Sequence, residues 1–278
     1  DSKASFCDRM NDAIAMARAV AALQALAHRL AQSGSEALPF MTRDEAQLAS
    51  GKPMKLRLGL SRTFESEPHY AALGEMVREH ASALVGLDVL GIVTGADTEP
   101  LPEGLVRVLE SMRRDLPDLT IHAGEFAGHA SVDRTLALKP RGIGHGVHSV
   151  QSAATMERLA REGVTLEVCP TSNLGIGLYP DLAAHPLPEL LAAGLAVSLA
   201  SDDPPMFATS LVEEYRRCAA AYGWDADQVR ALAAAAVRHS CLPEPRKAEL
   251  LAEQARVAAE LAAGVGSDRD RSAPARPR

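Results

Sequence analysis

Five ionisable side chains in the middle of the chain have the types that metal-assisted hydrolysis requires. They are His122, Glu125, His145, Asp202 and Asp203. Each stands at or just beyond the end of a short apolar run that predicts a buried β-strand. Imidazole and carboxylate groups bind divalent ions, and a further carboxyl group can act as a general acid or base. If these strand ends meet, the sequence predicts one hydrolytic site that activates water.

Within this set, the residue types suggest a division of roles. His122 and Asp202 are suitable metal ligands. Glu125 follows His122 by three residues, so it can lean over the site as a general acid or base without binding the metal. His145 and Asp203 can then hold or deprotonate the attacking water and hydrogen-bond the substrate.

The segments that must position these residues alternate between apolar runs and amphipathic helical patterns, which predicts βα units around a parallel sheet. The predicted strands are Lys55–Leu60, Leu84–Gly91, Leu119–Ala123, Gly142–His145, Thr165–Cys169 and Ala196–Ser201. The predicted helices between them are His69–Ala83, Leu105–Arg114, Ser131–Leu138, Ala153–Arg161 and Leu187–Ala193, followed by three more within Phe207–Ala263. Active sites of such barrels are built from the carboxyl ends of the strands, where the ionisable residues fall.

The composition narrows the class of protein. The 278 residues carry a net charge of -7, and only the last ten residues are basic, which argues against a nucleic-acid partner. No apolar run reaches the roughly 18 residues of a membrane span, and the four cysteines are widely spaced. We expect a soluble cytoplasmic protein with a small-molecule substrate and no membrane partner, and the oligomeric state stays open.

The domain organisation follows from the same patterns. Residues 1–52 are predicted to form an N-terminal helix and linker, and residues 53–263 a partial (β/α) barrel catalytic domain with C-terminal helices. Residues 264–278 are predicted to be a disordered tail, because they are rich in arginine, serine and proline.

Four motifs fall on four consecutive strand ends. They are Thr120-Ile-His-Ala-Gly-Glu125, Gly144-His-Gly146, Glu167-Val-Cys-Pro-Thr-Ser-Asn173 and Ser201-Asp-Asp-Pro204. In this order and spacing they resemble the adenosine deaminase family of metal-dependent amidohydrolases. The resemblance implies a (β/α)8 TIM-barrel fold and zinc-dependent hydrolytic deamination of a 6-aminopurine nucleoside, adenosine or 6-aminodeoxyfutalosine, to the 6-oxopurine and ammonia. Free adenine and N6-substituted adenines stay open as substrates.

The resemblance also implies catalytic roles by position. His122 and Asp202 would bind one zinc ion per chain. Glu125 would pass a proton to a ring nitrogen of the purine. His145 would orient or deprotonate the attacking water, and the two possibilities stay open.

Three further positions would contact the substrate by the same resemblance. Asp203 would hold the attacking water or the imidazole side of the purine, and Gly124 would let the backbone approach the ring. Gly91 stands where the family has a substrate-contacting glycine. Two acidic residues usually follow that glycine, but Ile92 and Val93 do so here, which departs from the family pattern on the ribose side.

The family also begins its barrel with a His-x-His pair, which this sequence does not contain. We therefore expect an N-terminally truncated barrel that lacks the first one or two strands. A rival interpretation is a catalytically inactive, metal-deficient remnant or a purine-binding protein. Simpler readings of single motifs also stay open. The pair Asp202-Asp203 before Pro204 could be the N-cap of a helix. Cys169 has no base beside it in sequence, which favours a structural thiol over a nucleophile.

Overall fold

A computed structural model describes residues 56–62, 74–75, 77–78, 84–90, 100–113, 115–116 and 118–271. The predicted N-terminal segment 1–52, Gly91 and residues 272–278 lie outside the described residues. The described residues divide into two compact units. The first contains residues up to 60, those between 74 and 88, and those from 103 to 116. The second contains residues 61–62, 89–90, 100–102 and 118–271, and holds every described candidate site residue.

The first unit contains most of strands β1 (Leu56–Ser61) and β2 (Leu84–Leu90) and helix α1 (Glu103–Met112). Helix α1 buries Leu105, Val108, Leu109 and Met112, which are spaced three and four residues apart. This spacing places them on one face of a helix, so burial of that face holds α1 in its unit.

The second unit is built on four parallel strands that neighbour one another in chain order. They are β3 (Asp118–Ala123), β4 (Gly142–His145), β5 (Thr165–Val168) and β6 (Val197–Leu199). In the register of the sheet His122 lies beside Gly144, and Gly144 lies beside Glu167. The carboxyl ends of β3 to β6 therefore share one edge, as the sequence predicted.

Nine α-helices and one 3₁₀ helix (Val147–Gln151) are described after residue 100. Those of the second unit are α2 (His129–Leu136), α3 (Ala153–Glu162), α4 (Pro170–Gly175), α5 (Leu187–Ala192), α6 (Pro204–Phe207), α7 (Leu211–Tyr222), α8 (Ala226–His239) and α9 (Glu244–Arg271). No helix among the described residues is long and apolar enough to cross a bilayer.

The predicted strands are confirmed with small shifts at their ends, and so are the three C-terminal helices, now α7 to α9. The short helix α4 was not predicted, because it begins at a proline inside a polar motif that reads as a loop. Helix α6 begins at Pro204, where the sequence left a helix start open as a simpler reading. Helix α9 continues to Arg271, past residue 264, where the sequence predicted the start of a disordered tail.

The core of the second unit lies between the sheet and the helices. Ile143, Leu166 and Val197 from the strands pack with Leu159 and Leu190 from α3 and α5, and all five are almost completely buried. Full burial of one such side chain contributes about 1.5–3 kcal/mol, so this layer fixes the sheet on which the site is built.

We expect Leu166→Ala to lower the free energy of unfolding by about 2–5 kcal/mol, because it leaves a cavity in the middle of this layer. Urea denaturation followed by circular dichroism measures the loss. The matched control is Leu211→Ala, since Leu211 is 49% exposed and its truncation should cost much less. Equal losses in the two variants would contradict the placement of the core.

Candidate active site

Strand β3 delivers the first two site residues. His122 is half-buried near the strand end, and its carbonyl oxygen accepts a hydrogen bond from the guanidinium of Arg62. The strand ends at Ala123, and Gly124 then turns the chain with a φ of 64°, a conformation that glycine adopts without strain. The Gly124 N–H donates to Ser131 Oγ at 2.7 Å, which fixes the turn. Glu125 follows it, with its side chain 12% exposed.

Strand β4 leaves room for the side chains of β3. A Cβ atom on Gly144 would lie 2.7–2.9 Å from atoms of the His122 ring, and one on Gly142 would lie 3.0 Å from Thr120 Oγ1. Both glycines therefore lie beneath side chains of the neighbouring strand. A glycine inside a strand commonly marks such a close approach. The His122 imidazole can lie where it does because residue 144 has no side chain.

The conformation of His145 brings its ring into the site. Side chains alternate along a strand, so a regular β4 would direct residue 145 to the same face as Ile143, which belongs to the core. His145 instead has a φ of 60°, and its ring centre lies 5.0 Å from that of His122, at 64° between the ring planes. A left-handed backbone at a residue other than glycine is strained, and such strain clusters at functional sites.

His145 connects the carboxylates of two other strand ends. Its Nε2 lies 3.4 Å from Glu125 Oε1 and 3.8 Å from Asp202 Oδ2. Asp202 also has a left-handed backbone, with a φ of 54°. Ser172 Oγ donates to Asp202 Oδ2 at 2.7 Å, which orients that carboxylate. His122, Glu125, His145 and Asp202 therefore meet at one edge of the sheet.

Asp203 is exposed and lies at the N-terminal end of α6. Its carbonyl accepts the N–H of Met206 at 2.9 Å, but its side chain makes no capping hydrogen bond. Asp203 is therefore the N-cap residue of α6 by position, as one of the simpler readings of the sequence expected, but its side chain does not cap the helix. Its predicted contact with substrate stays a prediction, and so does that of Gly91, outside the described residues.

The other side of the His145 ring meets buried polar groups. Its Nδ1 lies 3.3 Å from Asn173 Nδ2, and Asn173 Oδ1 lies 3.1 Å from His185 Nε2. His185 is 3% exposed, and the ring of Tyr179 packs against it edge-on, with 4.9 Å between ring centres. Burial lowers the pKa of His185 from 6.5 to about 4, so its ring is neutral at pH 7.

A set of donor atoms at the same edge could hold a divalent cation. One ligand atom each from His145, Cys169 and Asp202 lie within 4.8 Å of one another, beside the His122 ring. A mixture of nitrogen, oxygen and sulfur donors fits an ion of the zinc type. Burial, and then the charges of Asp202, Glu167 and Glu125, raise the pKa of the Cys169 thiol well above its usual value. Without a cation Cys169 therefore stays protonated, which favours a structural thiol over a nucleophile.

A buried carboxylate holds the segments behind the site. Glu214 on α7 is 1% exposed and accepts the backbone N–H of Thr171 at 3.0 Å and the hydroxyl of Thr209. The first bond is to the start of α4, which carries Ser172 and Asn173, and the second is to the chain just after α6. Glu214 thus links the segments that follow β5 and β6.

Sequence reasoning missed five residues of this arrangement: Arg62, Ser172, Asn173, His185 and Glu214. Ser172 and Asn173 belong to a motif that was noted, but their partners lie about 30 residues away in the chain. An arginine directly after an apolar strand was a signal for Arg62. No local pattern distinguishes His185 or Glu214, because their partners become neighbours only in the folded chain.

A family model described as "Adenosine deaminase" matches residues 40–257 of the chain. An adenine deaminase of Rhizobium rhizogenes is 44% identical over 135 residues, which are 48% of this chain and 42% of that protein. The chain therefore matches less than half the length of this relative.

Solved structures have a similar architecture. An adenine deaminase from Arthrobacter aurescens superposes with a TM-score of 0.66 at 27% identity, covering 72% of this chain and 60% of that one. An amidohydrolase from Burkholderia ambifaria with bound Zn superposes with a TM-score of 0.67 at 20% identity, covering 81% of this chain and 62% of that one. The predicted (β/α)8-type fold is confirmed.

We expect Gly144→Ala to lower the free energy of unfolding by about 1–3 kcal/mol, because the new methyl group would overlap the His122 ring. Urea denaturation measures this loss. The control is Gly128→Ala, whose new methyl group would meet only the end of the flexible Gln151 side chain. Both variants replace one glycine with alanine. An equal change in the free energy of unfolding would therefore argue against a close approach of the His122 ring to Gly144.

The buried His185 predicts a pH dependence of stability. Its pKa is about 4 in the folded chain and near 6.5 when exposed, so between these values the unfolded chain binds more protons. The free energy of unfolding should therefore fall as the pH falls from 6.5 to 4, by about 3 kcal/mol from this residue. Denaturation at several pH values should show a shallower dependence in His185→Gln. His129→Gln is the control, since that side chain is 40% exposed; an unchanged slope in His185→Gln would contradict the prediction.

Proposed function

The chain belongs to the adenosine deaminase family, and from that premise we propose that it carries the acid–base part of a site for hydrolytic deamination of a 6-aminopurine. The observation that supports this most directly is the position of His145 Nε2, 3.4 Å from Glu125 and 3.8 Å from Asp202. A carboxyl group, an imidazole and a second carboxylate at one strand edge are the groups that water addition to an amidine carbon requires.

In the proposed reaction the oxygen of water forms a bond to C6 of the purine. The Glu125 carboxyl group gives a proton to the adjacent ring nitrogen, which makes C6 a better electrophile. Of the two protons of the water, one goes to the exocyclic nitrogen and the other restores the Glu125 carboxyl group. The bond from C6 to the exocyclic nitrogen then breaks, and ammonia leaves. The products are the 6-oxopurine and ammonia, so no oxidant or further reactant is needed.

The side chains of this site have distinct tasks in that scheme. Glu125 is 12% exposed and lies 3.4 Å from His145, and it is proposed to pass a proton to the purine ring as the general acid. His145 orients the attacking water. Gly124 carries no side chain, which leaves space for the ring beside the backbone, and Asp203 is proposed to contact the substrate from α6. Gly91 is kept as a substrate contact by resemblance alone.

A divalent cation fits beside these groups. His122 and Asp202 are proposed to hold it, and Cys169 offers a further donor close to Asp202. Such an ion, when bound, lowers the pKa of water and so supplies a nucleophile at neutral pH. Ser172 then acts on the site through Asp202, because it holds the carboxylate from behind at 2.7 Å. We propose one zinc ion per chain.

The substrate class is a small 6-aminopurine. The sequence favoured a nucleoside, adenosine or 6-aminodeoxyfutalosine. The name adenine deaminase, which relatives of about 44% identity share, favours the free base instead, and we place adenine first. These relatives are matched over less than half their length, so the preference rests on their names together with the site described above.

The rival function is a purine-binding protein without turnover. Its support is in the sequence: the nine histidines include no pair separated by a single residue. Metal affinity falls steeply as ligands are lost, so a site with fewer imidazoles could bind purine and leave it unchanged. Metal analysis of the purified chain, together with ammonia release from adenine and adenosine, separates the two functions. A folded, metal-free and inactive chain that binds adenine would favour the rival.

If the proposed function holds, Glu125→Gln should reduce ammonia release at least about 100-fold, because the amide has no proton to give. Zinc content should stay the same, since Glu125 is not a proposed ligand. Asp202→Asn should instead lower the zinc content along with activity. Emission spectroscopy for zinc and a coupled ammonia assay provide the two measurements.

The control for these variants is Glu162→Gln, which removes a carboxylate on α3 that pairs with Arg158 at 2.8 Å, away from the site. It should leave zinc content and turnover unchanged. Full turnover by Glu125→Gln would overturn the role assigned to Glu125, and full zinc content in Asp202→Asn would overturn that of Asp202.

A further inference from the structure

A buried chain of three side chains connects His145 to the first residue of α5. His145, Asn173 and His185 are each 3% exposed or less. The contacts run from His145 Nδ1 to Asn173 Nδ2 at 3.3 Å, from Asn173 Oδ1 to His185 Nε2 at 3.1 Å, and from His185 Nδ1 to the backbone N–H of Leu187 at 3.1 Å. The chain thus begins in the proposed active site and ends outside it.

The last of these contacts sets the direction of all the others. A backbone N–H is always a donor, so His185 Nδ1 must accept the bond from Leu187 and carries no hydrogen. A helix start normally needs such an acceptor, and Pro186, at the N-cap position of α5, has no side-chain acceptor to offer. The imidazole of His185 takes that place.

A neutral imidazole carries one hydrogen, which in His185 must then be on Nε2. Burial holds the ring of His185 neutral at pH 7, as described above. Its Nε2–H therefore donates to Asn173 Oδ1, and this contact places the amide nitrogen of Asn173 toward His145. Because an amide nitrogen is only a donor, His145 Nδ1 must accept.

The opposite side of the His145 ring leads to the same assignment independently. Its Nε2 lies 3.8 Å from Asp202 Oδ2, and an ionised carboxylate only accepts hydrogen bonds. A bare nitrogen lone pair facing that carboxylate would be repelled. A hydrogen on Nε2 avoids this repulsion and leaves Nδ1 free to accept from Asn173.

We propose that Asn173 and His185 are positioning residues that hold His145 in the tautomer with its hydrogen on Nε2. In that form His145 points a donor at the site and has no lone pair there to take a proton from water. Resting on the proposed function, this assigns His145 the task of orienting the attacking water and removes the alternative of deprotonating it. The hydrogen-bond direction itself depends only on the fold.

The test is a long-range ¹H–¹⁵N correlation spectrum of the chain with ¹⁵N-labelled histidine at pH 7.5. The pattern of cross-peaks distinguishes the nitrogen that carries hydrogen from the one that does not. His145→Gln and His185→Gln identify the two rings by loss of their signals. We expect both His145 and His185 to carry hydrogen on Nε2. A hydrogen on Nδ1 of His145 in the unaltered chain would overturn the proposal, and this measurement needs no variant to fold.

A substitution at Asn173 should change which nitrogens of His145 carry hydrogen. Asn173→Asp keeps the shape of the side chain but replaces its amide donor with an oxygen that accepts. His145 Nδ1 must then carry a hydrogen, while Nε2 still faces the carboxylates, so the cross-peak pattern should change from the Nε2–H form to the form with a hydrogen on both nitrogens. His129→Gln, on α2 and outside this chain of bonds, should leave the His145 pattern unchanged. An unaltered His145 tautomer in Asn173→Asp would overturn the role of Asn173.

The spectrum separates this inference from the proposed function. An Nε2–H tautomer in a chain without turnover would support the positioning role and count against deamination. Turnover in a chain whose His145 has the Nδ1–H tautomer would support deamination and count against the positioning role. Where turnover is present, Asn173→Asp should lower kcat at least about tenfold with little change in KM, because it changes the protonation of His145 without removing a substrate contact. A fall in stability alone, with kcat unchanged in the folded protein, would contradict the role.

Discussion

The backbone conformation at the ends of β4 and β6 is the constraint on which the site depends. In a regular strand His145 would face the core, and its left-handed φ turns it toward His122 instead. A left-handed conformation costs about 1–2 kcal/mol at a residue with a Cβ atom, so the surroundings must impose it. The ladder continues past the bend, since the Gly146 N–H donates to the carbonyl of Ala123 at 3.0 Å. The hydrogen bonds between the parallel strands β3 and β4 therefore hold His145 in its strained conformation.

The electrostatics of the site follow from burial. An imidazole with carboxylates on one side and an amide on the other is stable away from water only if each hydrogen has an acceptor. In the proposed tautomer of His145 the Nε2 hydrogen faces Glu125 and Asp202, and Nδ1 accepts the hydrogen of the Asn173 amide. Burial, and then the charges of these carboxylates, raise the pKa of the Cys169 thiol well above its usual value. The groups of the site therefore depend on one another, so that replacing one side chain changes the donor and acceptor roles of its neighbours.

Membership of the adenosine deaminase family and the arrangement of these groups support the same reaction from two directions. The family indicates the class of chemistry, and the proposal assigns its tasks to side chains that meet at one edge of the sheet. The proposal also involves residues that it does not place against the substrate. Ser172 orients Asp202, and Glu214 holds α4, on which Ser172 and Asn173 stand. A proposed purine site built on strand ends therefore depends on a buried carboxylate in a C-terminal helix.

The sequence alone determined the order of strands and helices, because hydrophobic periodicity is local and both faces of these strands are covered. It also singled out His122, Glu125, His145 and Asp202, because active sites of such folds are built from strand ends, and their roles stay predictions. Only the tertiary structure decided which atoms face one another. The bonds among His145, Asn173 and His185 join residues 12 to 28 positions apart, and their direction depends on one backbone N–H at the start of a helix. Such contacts leave no periodic trace in a sequence, because they exist only after the chain has folded.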